Sequence, residues 1–235
     1  MRLFVHDYET TGVNAKECGV VQSCTGIVNV NEDGTFSIEH LTTKLLNPLC
    51  EIDPRASAVH GIYGSDVIEA EPYDEYLSKV YAEVNGTVDG ICGYNSNTFD
   101  NAIAKRFGLD TSIAKVDLIT ATRKLKQKKL LSSAALGKAY EELTGNPAEN
   151  AHDAQADVLM TLDLIPLCMG VLDIPTLTEF VDFLQSNINT MPFGKHIGKK
   201  FSDIPTSYLL WLKENTELSG ELLANVNKEL SNRNE

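Results

Sequence analysis

The sequence predicts a mixed α/β fold, strand-rich at its start and helix-rich afterwards. Three observations point that way. Residues 20–30 and 35–46 are dense in Val, Ile, Thr and Leu on either side of Asn31-Glu32-Asp33-Gly34, which reads as two strands joined by a hairpin turn. From residue 54 onward, apolar residues recur at helical spacing in one segment after another. Between the two regimes, residues 88–92 form a short apolar run into Gly93, the pattern of a buried strand. Strands first and helices later, with a strand between helices, is the order of a mixed α/β domain.

Taken in order, residues 3–5 are a short apolar run that continues into His6-Asp7-Tyr8-Glu9 and Thr10-Thr11-Gly12, which suits a strand leaving a sheet. Helical spacing covers residues 54–63 and 72–84. Further helices are expected at 98–107, 118–128, 133–143, 153–165 and 176–188. The helical pattern breaks at residues 189–200, where Pro192, Gly194 and Gly198 fall, so a domain boundary is expected near 185–192. That leaves a main domain over 1–185 and a small C-terminal module over 190–235. In the module, Asp203-Ile204-Pro205 suggests a turn into a short helix carrying Tyr208, Leu209 and Trp211, the single tryptophan.

The 235 residues are 43% hydrophobic and 23% charged, enough for one sizeable core and a small appendage. Cys18, Cys24, Cys50, Cys92 and Cys168 are odd in number and form no CxxC pair, which argues against a structural zinc site and reads as reduced thiols of a cytoplasmic protein. No run approaches eighteen consecutive apolar residues, so neither a membrane span nor a signal peptide is expected. The net charge of −13 argues against a generally basic nucleic-acid surface. Positive charge is bunched instead: Arg123, Lys124, Lys126, Lys128 and Lys129 lie within seven residues, and Lys195, Lys199 and Lys200 within six. Each bunch alone reads as a solvated face.

Alternate side chains of a strand share a face, so Asp7 and Glu9 present two carboxylates on one side. Mg2+ and Mn2+ favour such hard oxygen ligands, although an acidic pair at a strand end is also an ordinary solvated terminus. Asp100 opens a helix, where the helix dipole favours an aspartate in any case. Asp153 can cap the helix that carries Asp157 one turn later, which leaves His152 before the helix. Within one continuous helix, residues five apart point roughly 140° away from each other, so His152 reaches the Asp157 carboxylate only from a preceding loop. A neutral imidazole there could take a proton from a metal-activated water, and its plainer reading is a cap or packing residue. Asn29, Asn31, Asp33 and Gly34 imitate the start of a calcium loop, but its twelfth position is His40 rather than Glu, and the segment is read as a hairpin.

Asp7-Tyr8-Glu9-Thr10-Thr11-Gly12, then Phe99-Asp100, then His152 and Asp157 resemble the three motifs of the DEDDh exonucleases. Residues 58–62 and 116–118 look like connecting segments of that family, and the tail from Met191 to Lys200 with residues 208–212 is similar to its exodeoxyribonuclease X branch. The resemblance implies a ribonuclease H-like α/β fold, with a mixed central sheet flanked by helices and a small C-terminal module. It implies two Mg2+ ions, replaceable by Mn2+, on Asp7, Glu9, Asp100 and Asp157: one mainly on Asp7, Glu9 and Asp157, the other near Asp7 and Asp100. His152 would be the general base, and the product a nucleoside 5′-monophosphate cut from the 3′ end of DNA, single-stranded or at a duplex terminus. Thr10, Thr11, Gly12 and Phe99 would line the substrate. Lys195, Lys199 and Lys200, interleaved with Gly194 and Gly198, could grip phosphates. The same stretch, with Phe193, Ile197, Phe201, Tyr208, Leu209 and Trp211, could equally be a satellite hydrophobic cluster. RNA as substrate, or a binding module that has lost catalysis, are the competing readings.

Overall fold

The computed structural model describes residues 1–188, 190–191, 194–216 and 220–233. Pro192 and Phe193, singled out in the sequence, lie outside the described residues. β1 (Arg2–Thr10), β2 (Val20–Val30) and β3 (Phe36–Leu45) form an antiparallel meander, and β4 (Gly90–Gly93) and β5 (Ala114–Asp117) add in parallel on the other side of β1. The order is β3-β2-β1-β4-β5, which puts β1 at the centre of a mixed sheet. Pairing of β1 with β4 ends at Val5 opposite Cys92, whereas pairing with β2 continues to Thr10. Residues 6–10 therefore run past the end of β4. That overhang is where the acidic residues sit.

The meander turns as the sequence predicts. Gly34 takes φ +83 in the turn, and a Cβ there would come within 2.9 Å of the Pro166 backbone. Asp33 accepts hydrogen bonds from Thr35, so the segment that imitates a calcium loop is a hairpin.

Helices cover both faces of the sheet. On one face lie α5 (Ile119–Gln127), α6 (Leu136–Thr144), α7 (Ala154–Leu172) and α8 (Leu177–Ile188), packed on Leu3 and Val5 of β1, Val28 of β2 and Val116 of β5. On the other lie α3 (Tyr73–Val84) and α4 (Asp100–Arg106), packed on Phe4 and Tyr8 of β1. The α3 residues Tyr73, Leu77, Tyr81 and Val84 are buried at three- and four-residue intervals, which is one stripe of a helix. Fully burying each such side chain stabilises the fold by about 1.5–3 kcal/mol. Two short helices, α1 (Pro54–His60) and α2 (Gly64–Val67), cover the connection after β3; α1 starts on the Asp53 cap and stops at Gly61 in a left-handed turn.

The sequence reading differs from the structure at β1, β5 and α7, and it did not expect the helix over Gly220–Asn232. β1 extends from Arg2 through Thr10 because its polar end is still paired to β2. β5, read as a connecting segment, is a four-residue strand; its apolar run is too short to show a period. α7 was expected to stop before Pro166, but it runs through to Leu172. It is long and apolar enough to cross a membrane, yet Val158, Leu162, Ile165 and Cys168 are buried against the sheet core, as in a central helix of a globular domain. Cys18, Cys24, Cys92 and Cys168 are buried free thiols, and Cys50 is an exposed one.

Beyond α8, α9 (Thr206–Asn215) and α10 (Gly220–Asn232) enclose a separate small cluster of Met191, Phe201, Ile204, Leu209, Leu212, Val226 and Leu230. Phe201 and Leu209 thus pack as the satellite reading expected, while Ile197 and Trp211 remain 47% and 50% exposed.

At the end of β4 the backbone closes onto the overhang of β1. A Cβ on Gly93 would lie 2.7 Å from Ser96 Cβ and 3.2 Å from the His6 carbonyl oxygen. Gly93→Ala is expected to destabilise the fold by about 1–3 kcal/mol, the cost of overpacking a closed site. Ser96→Gly in the same chain should recover part of it. Urea unfolding midpoints of the three proteins decide this, and an unchanged midpoint for Gly93→Ala would show that the loop simply moves aside.

Candidate active site

Along β1, alternation places Asp7 and Glu9 on the face of Leu3 and Val5, toward α7. Glu9 is paired across the sheet with Gln22 on β2. The Gln22 amide donates to Asp153 Oδ2 at 2.9 Å, and its oxygen accepts the Ala154 N–H at 2.9 Å. Asp153 caps α7, accepting the Gln155 and Ala156 amides at 3.1 Å each. One glutamine and one aspartate therefore pin the start of α7 to the sheet. Asp157 follows a turn later, on the face that meets β1.

His152 precedes the cap in a left-handed conformation, φ 70, and is exposed. Outside the helix, the ring is free of the geometry that would keep it from Asp157. Ligand atoms of Glu9, His152 and Asp157 all lie within 4.8 Å of one another. Asp100 enters as the first residue of α4, 5% exposed. Asp7, Glu9, Asp100, His152 and Asp157, read from three separate motifs, thus converge on the overhang of β1.

Burial and mutual repulsion dominate the electrostatics. Asp7 is held well above the carboxylate range by burial, then by Asp100, Asp157 and Glu9. Burial pushes Glu9 up to about 8, with Asp157 and Asp100 adding to it. Asp100 is also raised to about 8 by burial, against hydrogen bonding from its own amide and that of Tyr8. Asp157 rises less: burial lifts it, and His152 draws it down through a backbone hydrogen bond and its charge.

A buried polar chain backs the site. His6 Nε2 lies 2.9 Å from Asn101 Oδ1, so that nitrogen donates; Nδ1 then accepts from the Tyr8 hydroxyl at 2.7 Å. Tyr8 in turn accepts from Tyr81 at 2.6 Å. Burial keeps His6 neutral, its pKa lowered to about 4. Asn101 follows Asp100 in α4 and donates to Asn97 Oδ1 at 3.2 Å. The loop containing Asn97 hangs on Asp117, whose carboxylate accepts the amides of Asn95 at 2.7 Å and Asn97 at 3.0 Å. His60, at the rim, accepts from Ile62 N–H on Nδ1 and donates to the Thr10 carbonyl from Nε2.

The flanking motif residues have other work as well. Thr10 Oγ1 donates to the Gly12 carbonyl at 2.9 Å, and Thr11 Oγ1 accepts the Gly19 amide at 3.0 Å, so both hydroxyls brace the loop after β1. A Cβ on Gly12 would meet nothing within 4 Å. Phe99 is half-buried against the α3–α4 core beside Asp100. Lys195, Lys199 and Lys200 are exposed on the tail.

Sequence reasoning missed Gln22, Asp117 and the chain from Tyr81 to Asn101. Asp117 carried a signal: a carboxylate ending an apolar run. Gln22 carried none, because its partner lies 131 residues away in sequence.

A family model described as Exonuclease matches residues 4–165. A second, described as a putative quorum-sensing-regulated virulence factor, matches residues 182–228. No curated protein matches. Among solved structures, Escherichia coli exonuclease I in complex with a dA16 oligonucleotide superposes with a TM-score of 0.63 at 19% identity over 80% of this chain and 44% of that one. The zinc ion-bound form of an E. coli exonuclease I–single-stranded DNA complex gives 0.64 at 18%, covering 80% and 43%. A moderately thermophilic exonuclease I from Methylocaldum szegediense gives 0.61 at 18%, covering 80% and 43%. The chain spans less than half the length of these structures, and at such identities they share its ribonuclease H-like fold. The family model covers the whole stretch that carries the five converging residues, and the chain belongs to the exonuclease family, in its DEDDh type.

Proposed function

We propose that this chain is a metal-dependent 3′→5′ exonuclease that hydrolyses the terminal phosphodiester of DNA and releases nucleoside 5′-monophosphates. The observation that carries the reading is the convergence of Asp7, Glu9, Asp100 and Asp157 from three separate elements, with exposed His152 at their rim. The charged neighbours acting on Asp7 and Glu9 are all acidic, so the set fits hard divalent cations better than any neutral role. Asp7, Glu9 and Asp157 would hold one Mg2+ and Asp7 with Asp100 a second, Mn2+ substituting for either. Bound there, such ions supply Lewis acidity and lower the pKa of water.

His152 takes the proton of the attacking water on a ring nitrogen. The water oxygen bonds to phosphorus as the bond to the 3′ oxygen breaks, and that oxygen leaves as a hydroxyl once protonated. Gln22 and Asp153 hold the His152 loop against β1. Thr10 to Gly12 and Phe99 flank the carboxylates and would contact the terminal nucleotide. The tail's own hydrophobic cluster supports treating 190–235 as a module beside a 1–185 nuclease domain, with Lys195, Lys199 and Lys200 gripping substrate. The DNA complexes of exonuclease I favour DNA over RNA, and its zinc-bound form favours a divalent cation here.

The test is direct. 5′-labelled DNA should shorten one nucleotide at a time with Mg2+, stop with chelator, and outpace RNA of equal length. Endonucleolytic products, or faster turnover of RNA, would overturn the assignment. Asp7→Asn, Asp100→Asn and Asp157→Asn should each lose activity by orders of magnitude with the fold intact. His152→Ala should slow turnover by about 10²–10⁴-fold, as for a lost general base, while Mn2+ binding measured by calorimetry survives. Loss of Mn2+ binding together with rate would make the histidine a ligand.

The metal-free protein should carry a pH signature. Glu9 and Asp100 ionise near 8 in the fold, against ordinary values of 4.5 and 3.8. A carboxyl raised in this way contributes stability below its unfolded pKa and loses it as pH rises through the folded one. His6, lowered to about 4, has the opposite sign but finishes its effect by about pH 7. Between pH 7 and 9 in EDTA the melting temperature should therefore fall, less steeply in Asp100→Asn, and Mg2+ should restore most at the alkaline end. A flat profile in EDTA would mean the carboxylates are not under strain.

A further inference from the structure

Against a net charge of −13, eight of the 20 Lys and Arg residues occupy positions 123–129 and 195–200, and neither stretch contains an acidic residue. The fold brings the two stretches to one groove. One wall is α5, through Arg123, Lys124 and Gln127; the facing wall is the tail, through Gly198. The walls are close, since a Cβ on Gly198 would lie 3.4 Å from Gln127 Oε1.

The lining of the groove also includes Asn97 and Thr98. Asn97 accepts a hydrogen bond from Asn101, the neighbour of Asp100, which ties the groove wall to the element that carries a site carboxylate. Lys195, three residues along the chain from Gly198 and so at most about 10 Å from it, borders a second depression with Tyr208 and Trp211. There the Lys195 ammonium lies 5.1 Å from the Tyr208 ring centroid, and Tyr208 stacks on Trp211 at 5.7 Å and 28°. Trp211 is 50% exposed.

The cations are available. Among the described residues, no carboxylate lies within ion-pair distance of Arg123, Lys124, Lys195, Lys199 or Lys200, whereas Arg2, Lys44, Arg55, Lys79, Lys138 and Arg233 are paired. The acid that feels Arg123 is buried Asp117, already held by the Asn95 and Asn97 amides. Cations on the groove wall, with a further lysine and an exposed aromatic stack in the neighbouring depression, match the two repeating chemistries of an unpaired polynucleotide, phosphate and base face. A folded protein partner has no such repeat.

We infer that this groove is a single-strand track: it leaves the carboxylate site at Asn97 and Thr98, passes Arg123 and Lys124, and ends on the Tyr208–Trp211 stack. The inference rests on the exonuclease reading and adds to it the path of the strand behind the cleaved end. It puts the two lysine-rich stretches, some seventy positions apart in sequence, onto one ligand.

Binding in EDTA reads the track apart from cleavage. The probes are 20-residue oligothymidylate and oligouridylate, whose comparison separates DNA from RNA, and a three-residue oligothymidylate too short to reach α5. Lys124→Gln and the double Arg123→Gln/Lys124→Gln should weaken binding of the 20-mer, the double by about tenfold, and shrink the parent's preference for the 20-mer over the trimer. The log–log salt slope should fall by about 0.7 for each phosphate contact removed. Because Trp211 is the only tryptophan, its emission should be quenched by the 20-mer and not by the trimer. Lys124→Gln, which leaves Arg123 and its electrostatic influence on Asp117 in place, covers the chance that the double variant fails to fold. Parent-like affinity and salt slope in the folded variants, or Trp211 emission unmoved by saturating 20-mer, would overturn the track. A parent protein that binds the 20-mer in this way yet cuts nothing with Mg2+ would instead refute the exonuclease reading alone.

Discussion

Four carboxylates share one end of a buried strand, and their repulsion is what the surrounding architecture must withstand. Two like charges about 4 Å apart near a protein surface repel by roughly 4 kcal/mol, and burial adds the loss of hydration. The fold meets this by spreading the four over separate supports: Asp7 and Glu9 on β1, Asp100 at the start of α4, and Asp157 on α7. Each support is anchored away from the site, so the charges cannot relax apart without breaking a core. The result is a set of mutually repelling acids that stay close together.

The anchors are neutral hydrogen-bonded groups, which add rigidity without adding charge. Tyr81, Tyr8, His6 and Asn101 form a chain whose proton directions follow from one fact, that Asn101 offers an oxygen to His6. It ties α3, β1 and α4 together directly behind Asp100. Gln22 does the same for α7, using both ends of one amide. Asp117 is the exception among the anchors, a buried acid pushed up to about 6, and where it borders the α5 groove its carboxylate is taken up by the Asn95 and Asn97 amides. A carboxylate serves there because two N–H groups must be met at one point.

The same logic explains how an acidic chain can deal with an anionic polymer. A net charge averages over the surface, whereas a ligand a few ångströms away feels local charge, screened beyond about 10 Å at ordinary salt. Concentrating lysines along α5 and the tail, while carboxylates elsewhere pair with Arg2, Lys44, Lys79 and Lys138 or stand in solvent, leaves a positive strip beside the negative site.

The sequence by itself determined the mixed α/β class, the hairpin, most of the helices and the short motifs from which the five candidate residues were read. These were legible because each rests on local rules: period two or 3.6, an aspartate cap before Asp157, and motifs a few residues long. Tertiary structure decided what depends on partners distant in the chain. β1 runs to Thr10 because β2 pairs with its polar end, α7 passes Pro166 because the sheet packs along its length, and Gln22 matters because Asp153 lies across the sheet. It also decided that His152 adopts a left-handed turn and so reaches Glu9 and Asp157, and that Arg123 and Gly198 face one groove. Local propensity carries no information about such pairings, since the free energy that selects them comes from burial and hydrogen bonds between segments that meet only once the chain has folded.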